Sequence, residues 1–170
     1  MSYPPRQRLI GWLAAGLLGL TLTAPVLAQQ NEPIEVEADR LELDDRAGTA
    51  VYSGAVEIRQ GNLQLTGARV EIQRNDAGEV SRLTATGERA YLEQTPVDGE
   101  RIQGWGRTIV YHAAERRVEL IDRAELHRGA DTFNGAYVEY LIDRRLVEAR
   151  ADAEGTERQR VRMTLTPEQQ

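Results

Sequence analysis

Few side chains in this sequence could do chemistry. Two histidines exist, His112 and His127. Their spacing fits no metal motif, and no cysteine accompanies them. Histidine–cysteine zinc sites need ligands in closely spaced pairs. The lack of cysteine also removes disulfides and thiolate metal centres. Beyond residue 28 the serines are Ser53 and Ser81, and neither lies in a nucleophile-elbow pattern. Gly104-Trp105-Gly106 lacks a third glycine and a following helix, so it is not a phosphate loop. The carboxylates fall mostly at alternating outward positions, as a solvated face requires, and Asp44-Asp45 reads as a turn. A paired-carboxylate hydrolase would depend on proximity in the fold, which spacing does not show. The reading is a chain with no catalytic residues, no metal site and no cofactor.

The elements available to position a surface are strands. Arg158, Arg160, Arg162 and Thr164 alternate with Gln159, Val161, Met163 and Leu165. The same period of two recurs at Val56/Ile58, Leu63/Leu65, Val70/Ile72 and Val118/Leu120. Such alternation marks a strand with one wet and one dry face. Turn signals arrive every eight to twelve residues, among them Gly61-Asn62, Asn75 to Gly78, Gly129 and Asn134-Gly135. That spacing predicts an all-β sandwich, barrel or roll. The clearest hairpin joins Val70-Glu71-Ile72 to Val80–Leu83. The best helical candidate, His112 to Arg117, has no apolar stripe and reads as a loop.

The first 28 residues stand apart. Arg6 and Arg8 precede an apolar run, Leu9 to Ala24, then Pro25 and Val26-Leu27-Ala28. This is the layout of a secretory signal cleaved after Ala28. An uncleaved anchor is the alternative, but a run of sixteen residues falls short of the roughly 20 that span a bilayer. The 170-residue chain less 28 leaves 142, with 19 Arg against 27 acids, a net charge of −8. One domain over 29–170 is expected. All 21 basic residues are Arg, and the acidic balance argues against a nucleic-acid partner.

An internal echo runs at an offset of 68. Ile34 matches Ile102, Leu41 falls on Ile109, Gly61 matches Gly129, Gly67-Ala68 matches Gly135-Ala136, and Val70-Glu71 matches Val138-Glu139. A fixed period suggests stacked copies of one multi-strand unit. Glycine at the same place in each suggests a corner or bulge. The end strands, Ile34 to Ala38 and Arg160 to Thr166, either pair within the fold or accept a strand from another chain. Of the aromatics, Tyr52, Tyr91, Trp105, Tyr111, Phe133, Tyr137 and Tyr140 lie beyond residue 28. The inward set is mainly aliphatic and includes Leu41, Leu43, Leu92, Ile109 and Leu126. It suits a closed core or a smooth groove for alkyl chains, where each buried methylene contributes about 0.8 kcal/mol.

The segment Pro33-Ile34-Glu35-Val36-Glu37-Ala38-Asp39-Arg40-Leu41-Glu42-Leu43-Asp44 resembles the start of the OstA-like domain. Gly54 to Leu65 and Ala68 to Ile72 resemble that family's next signatures. The departures are Gly67-Ala68-Arg69, and Asp122 where the second copy should repeat Gly54. The resemblance implies a V-shaped β-jellyroll, open along one edge, with no catalytic residue or cofactor. It implies a periplasmic protein that binds lipopolysaccharide, holds the lipid A acyl chains in its groove and pairs end to end by strand addition. An inner-membrane complex would meet the N-terminal edge and the outer-membrane translocon the C-terminal edge. The groove residues carried over are Ile34, Val36, Leu92, Ile109, Tyr111, Leu126 and Phe133. The docking edges are Ile34, Val36 and Ala38 at one end and Val161, Met163 and Leu165 at the other. Arg89 and Arg107 are placed at the groove rim. A membrane-anchored relative of the same fold and a closed structural β-domain are the alternatives.

Overall fold

The computed structural model describes residues 32–97 and 99–166; the expected signal, 1–28, lies outside them. The strands are β1 (Glu35–Glu37), β2 (Arg40–Asp44), β3 (Thr49–Gln60), β4 (Leu63–Arg74) and β5 (Val80–Gln94), then β6 (Ile102–His112), β7 (Arg117–Arg128), β8 (Asp131–Leu141), β9 (Leu146–Arg150) and β10 (Arg162–Thr164). They form one antiparallel sheet, with β3 to β8 in a simple meander. At one end β1 and β2 both pair with β3; at the other β9 and β10 both pair with β8.

Local chemistry sets the turns. Asn75 Oδ1 accepts the amides of Ala77 and Glu79, each at 3.0 Å, and Gly78 adopts φ 81°. The expected hairpin follows, with Ile72 opposite Leu83. Asp44 Oδ1 accepts the amides of Arg46 and Ala47 at 2.9 and 3.0 Å, so Asp44-Asp45 is a turn held by its own side chain. Residues 113–116 form the turn between β6 and β7, and no helix forms there.

Register shifts fall between Ser53 and Val56, Thr66 and Arg69, Thr86 and Ala90, Trp105 and Thr108, and Ile121 and Ala124. Each shift is a bulge or a like irregularity, which bends its strand. Aligned across the sheet, the bulges make one crease that folds it into two facing arms. The first arm carries Ile58, Leu65, Leu92, Ile102, Leu126 and Phe133; the second carries Val70, Leu83, Ile109, Leu120, Val138 and Tyr140. All join a single core. At the crease, a Cβ on Gly135 would stand 2.7 Å from the Arg150 carbonyl, so only glycine permits that close approach.

The offset of 68 is written into the backbone. Left-handed φ occurs at Gly48 and Arg116, Gly54 and Asp122, Ala55 and Arg123, and Gly61 and Gly129. Each pair is separated by 68 residues. Strand β3 maps onto β7, and β4 onto β8, by the same shift. Asp122 keeps the conformation that Gly54 has in the first copy, φ 59° against 83°. The side chain changed and the bulge did not.

Two expectations need correction. The strand read from Arg160 to Thr166 is only Arg162–Thr164. The preceding chain closes a loop instead, with Gln159 N donating to the Ala151 carbonyl at 2.8 Å. Leu41 and Leu43, read as inward core, are more than half exposed, because no strand among the described residues pairs beyond β2.

Candidate functional site

Cross-strand registers line the inner face with three apolar rows. On the first arm the row runs Val36, Ile58, Leu65, Leu92, Gly104, Leu126, Phe133, Met163. On the second arm one row runs Leu41, Tyr52, Val70, Ala85, Ile109, Leu120, Val138, Ala149. Its neighbour runs Leu43, Ala50, Ile72, Leu83, Tyr111, Val118, Tyr140, Val147. Alternation along each strand produces this result, because residues two apart share a face.

The middle of each row is dry. Leu92, Ile109 and Leu126 are fully buried, and Tyr111 and Phe133 nearly so. All five belong to the core cluster, with Ile34 and Val36 packed against it half-buried. The expected groove residues therefore come together on one inner surface, filled by their own packing. The rows emerge at both ends of the sheet. Leu41 and Leu43 are 53 and 54% exposed at one end; Val161, Met163 and Leu165 are 45, 52 and 59% exposed at the other. Ala38 is exposed just past β1.

The mouth, where strand ends of the two arms meet opposite the crease, is polar. Gln94 is the buried polar residue among the described residues, at 7% exposure. Its side chain hydrogen-bonds the Tyr111 hydroxyl, yet its Oε1 is buried without a partner. Burial pushes the Tyr111 phenol up, and nearby Arg116 partly opposes this. Beside it, Arg128 Nη1 donates to the Arg145 carbonyl at 3.2 Å, joining β7 of the first arm to the loop after β8. The Arg128 guanidinium also lies 5.6 Å from the centre of the Phe133 ring. Sequence reasoning missed Gln94 and Arg128. The signal was present: Gln94 shares the inward parity of Leu92 and is polar.

Arg89 and Arg107 do not sit at this mouth. Arg89 packs over Trp105 at 5.3 Å on the outer face and pairs with Glu125 at 3.2 Å. Arg107 lies at the crease, 3.3 Å from Glu88 and 3.5 Å from Asp122. His127 is on the outer face, 2.7 Å from Glu125 and edge-on to Trp105, and His112 faces Glu119 at 3.2 Å. Among the described residues no group of three or more His, Cys, Asp or Glu could hold a metal.

A single antiparallel sheet folded on itself and lined by apolar rows defines an all-β protein with one continuous apolar inner face. The chain belongs to the LptA/(LptD N-terminal domain) LPS transport protein family, whose profile matches residues 35–145. It is similar to the lipopolysaccharide export system protein LptH of Pseudomonas aeruginosa, 36% identical over 155 residues, covering 88% of each chain. It is also similar to LptA of Escherichia coli K12, 26% identical over 160 residues, or 92% of this chain and 84% of that one. The crystal structure of LptH, described as the LptA-homologous periplasmic component of the lipopolysaccharide transport device, matches with a TM-score of 0.74. That match is 36% identical and covers 82% of this chain and 99% of LptH. The expected fold and family are thus both found.

Proposed function

We propose that this chain is a periplasmic bridge that binds lipopolysaccharide and carries it from the inner to the outer membrane. The observation behind this reading is that the three apolar rows run unbroken through the sheet and end in exposed apolar side chains at both free edges. Lipid A acyl chains would lie along Ile34, Val36, Leu92, Ile109, Tyr111, Leu126 and Phe133, while sugars and phosphates stay in water. Because these side chains fill the trough, lipid must part the arms, breaking the Gln94–Tyr111 and Arg128–Arg145 contacts at the mouth. Each burial of alkyl chain repays that separation at about 0.8 kcal/mol per methylene.

Copies pair end to end by strand addition, Ile34 to Ala38 at one edge and Val161 to Leu165 at the other. The inner-membrane complex takes the N-terminal edge and the outer-membrane translocon the C-terminal edge. Residues 1–28 act as the export signal and are removed.

Native mass spectrometry of the periplasmic form with added lipopolysaccharide tests this reading. Bound lipid on a chain beginning at Gln29, with oligomers rising with concentration, supports it. A monomer that takes up no lipid overturns it in favour of a closed β-domain, the reading that the filled interior favours. A mass retaining residues 1–28 supports the anchored relative instead.

A further inference from the structure

The contact that the two free edges need already exists once inside the chain. Strand β6 flanks β7 as β1 and β2 flank β3, and β9 and β10 flank β8 as β5 flanks β4. With β3 and β4 mapping onto β7 and β8 at an offset of 68, the β5–β6 seam is where one copy of the unit meets the next. Among the described residues two half-seams are left over: the outer edge of β1 and β2, and the outer edge of β9 and β10.

We propose that two copies of this chain join by repeating the β5–β6 seam, in that seam's register. This rests on the end-to-end reading above and adds which residue meets which. The register follows from the pairings. Tyr91 pairs with Thr66, and Arg162 pairs with Asn134, which is Thr66 shifted by 68. Arg162 therefore takes the place of Tyr91, whose seam partner is Trp105. Shifted back by 68, Trp105 becomes Glu37. Arg162 of one copy thus falls opposite Glu37 of the next, and Met163 opposite Val36. On the second arm Ala149 takes the place of Ala85, since Val138 pairs with the one and Val70 with the other. Ala149 then falls opposite Leu41, and Val147 opposite Leu43.

This register joins like to like on the inner face, so all three apolar rows continue from copy to copy and cover the exposed Leu41, Leu43 and Met163. On the outer face of the first arm it sets a cation against a carboxylate. The wider edges are complementary too: exposed Glu32, Glu35, Glu37 and Asp39 at one end face exposed Arg158, Arg160 and Arg162 at the other. On the second arm Glu148 falls opposite Glu42 and Arg150 opposite Arg40, so opposite charges there meet on the diagonal. Apolar contact, not charge, carries that half. A slip of one residue would turn every inward side chain outward. A slip of two keeps the faces but costs β2 one of its two apolar partners on β9.

The chain has no cysteine, so single cysteines report the register cleanly. Glu37→Cys and Arg162→Cys are placed on separate copies of the full mature chain, one tagged, then mixed and oxidised. Glu35→Cys with Arg162→Cys serves as the slipped pair. All three sites are exposed. Directly opposite residues lie within disulfide reach, whereas diagonal ones about 7–8 Å apart do not. The 37–162 mixed disulfide is expected to form at least about tenfold faster than the 35–162 one. An equal or faster 35–162 product overturns the register and leaves end-to-end pairing standing. No mixed disulfide in either set, at concentrations where lipopolysaccharide still binds, overturns both.

Discussion

A methyl group on Gly104 would stand 2.9 Å from Leu120 Cδ2 and 3.1 Å from Cδ1. Gly104 lies on the first arm and Leu120 on the second, so the arms meet here with no room for a carbon atom. The filled trough and the proposed lipid site are therefore the same space in competition.

That competition makes Gly104→Ala informative. The added methyl must push Leu120, which is almost fully buried, and overpacking of this kind costs about 1–3 kcal/mol. The lower end is expected, because the end of a leucine side chain can turn. The strain acts on the closed form and is relieved when the arms part. The variant should therefore melt a few degrees lower without lipid and bind lipopolysaccharide more tightly. Calorimetry with and without lipid checks both halves.

Gln94→Leu should act on the rate of opening instead of on the packing of the arms. It removes a buried carbonyl oxygen that has no partner, at the loss of a hydrogen bond to Tyr111. A net hydrogen bond contributes about 1 kcal/mol, and an unsatisfied buried group costs about as much. Stability should change little, but one contact that holds the mouth shut is gone, so lipid should enter faster. Stopped-flow uptake of a fluorescent alkyl probe, read against Tyr111→Phe, measures this.

Val36→Asp strikes the end of the first-arm row, where Val36 faces Ile58 on its paired side. A carboxylate there loses alkyl contact and must shed water to be covered. Lipid binding and self-assembly should both fall, while the melting temperature moves little because Val36 is only half-buried. Full lipid transfer by this variant would remove Val36 from the site.

The crease gives two substitutions of opposite sign, one in each copy of the repeat. Arg123 holds φ 55°, a left-handed conformation that costs an ordinary residue about 1–2 kcal/mol. Arg123→Gly should raise stability by a few tenths to about 1 kcal/mol after glycine's added unfolded-state entropy. Gly54→Ala should lower it by more. Its φ is 83° and an added Cβ would lie 2.7 Å from Asp39 Cβ. Denaturant melts of both variants check the two signs.

The outer face supplies a pH test. Arg101, hydrogen-bonded to Glu93 at 2.6 and 2.9 Å, holds the Glu93 carboxyl below the usual carboxylate range. Its folded pKa is below its unfolded one, so this contribution is present above the unfolded value, about 4.3. It is lost as pH falls through the lower folded value. Wild type should melt slightly above Glu93→Gln at pH 7, with the gap closing below about pH 4. The effect is small, since Arg101 is more than half exposed and water screens it.

Alternation by itself determined that this chain is strands, where its hairpin turns fall, and which side chains share a face. Those are local properties, fixed by two-residue periodicity and by side chains such as Asn75 and Asp44 that bond their own backbone. The repeat at 68 was legible too, through glycines whose backbone geometry proved to recur even where Asp122 had replaced one of them. Closure was not legible. An aliphatic row reads the same whether it meets water, lipid or another row, and only the crease, formed when successive bulges align in space, brought Gly104 against Leu120. The ends were equally hidden: Leu41, Leu43 and Met163 have the pattern of core, and are exposed because no further strand among the described residues pairs beyond theirs. The polar mouth, with Gln94 on Tyr111 and Arg128 on the Arg145 carbonyl, joins residues from opposite arms. Tertiary structure alone decided those contacts, since they depend on where two bent halves of one sheet meet.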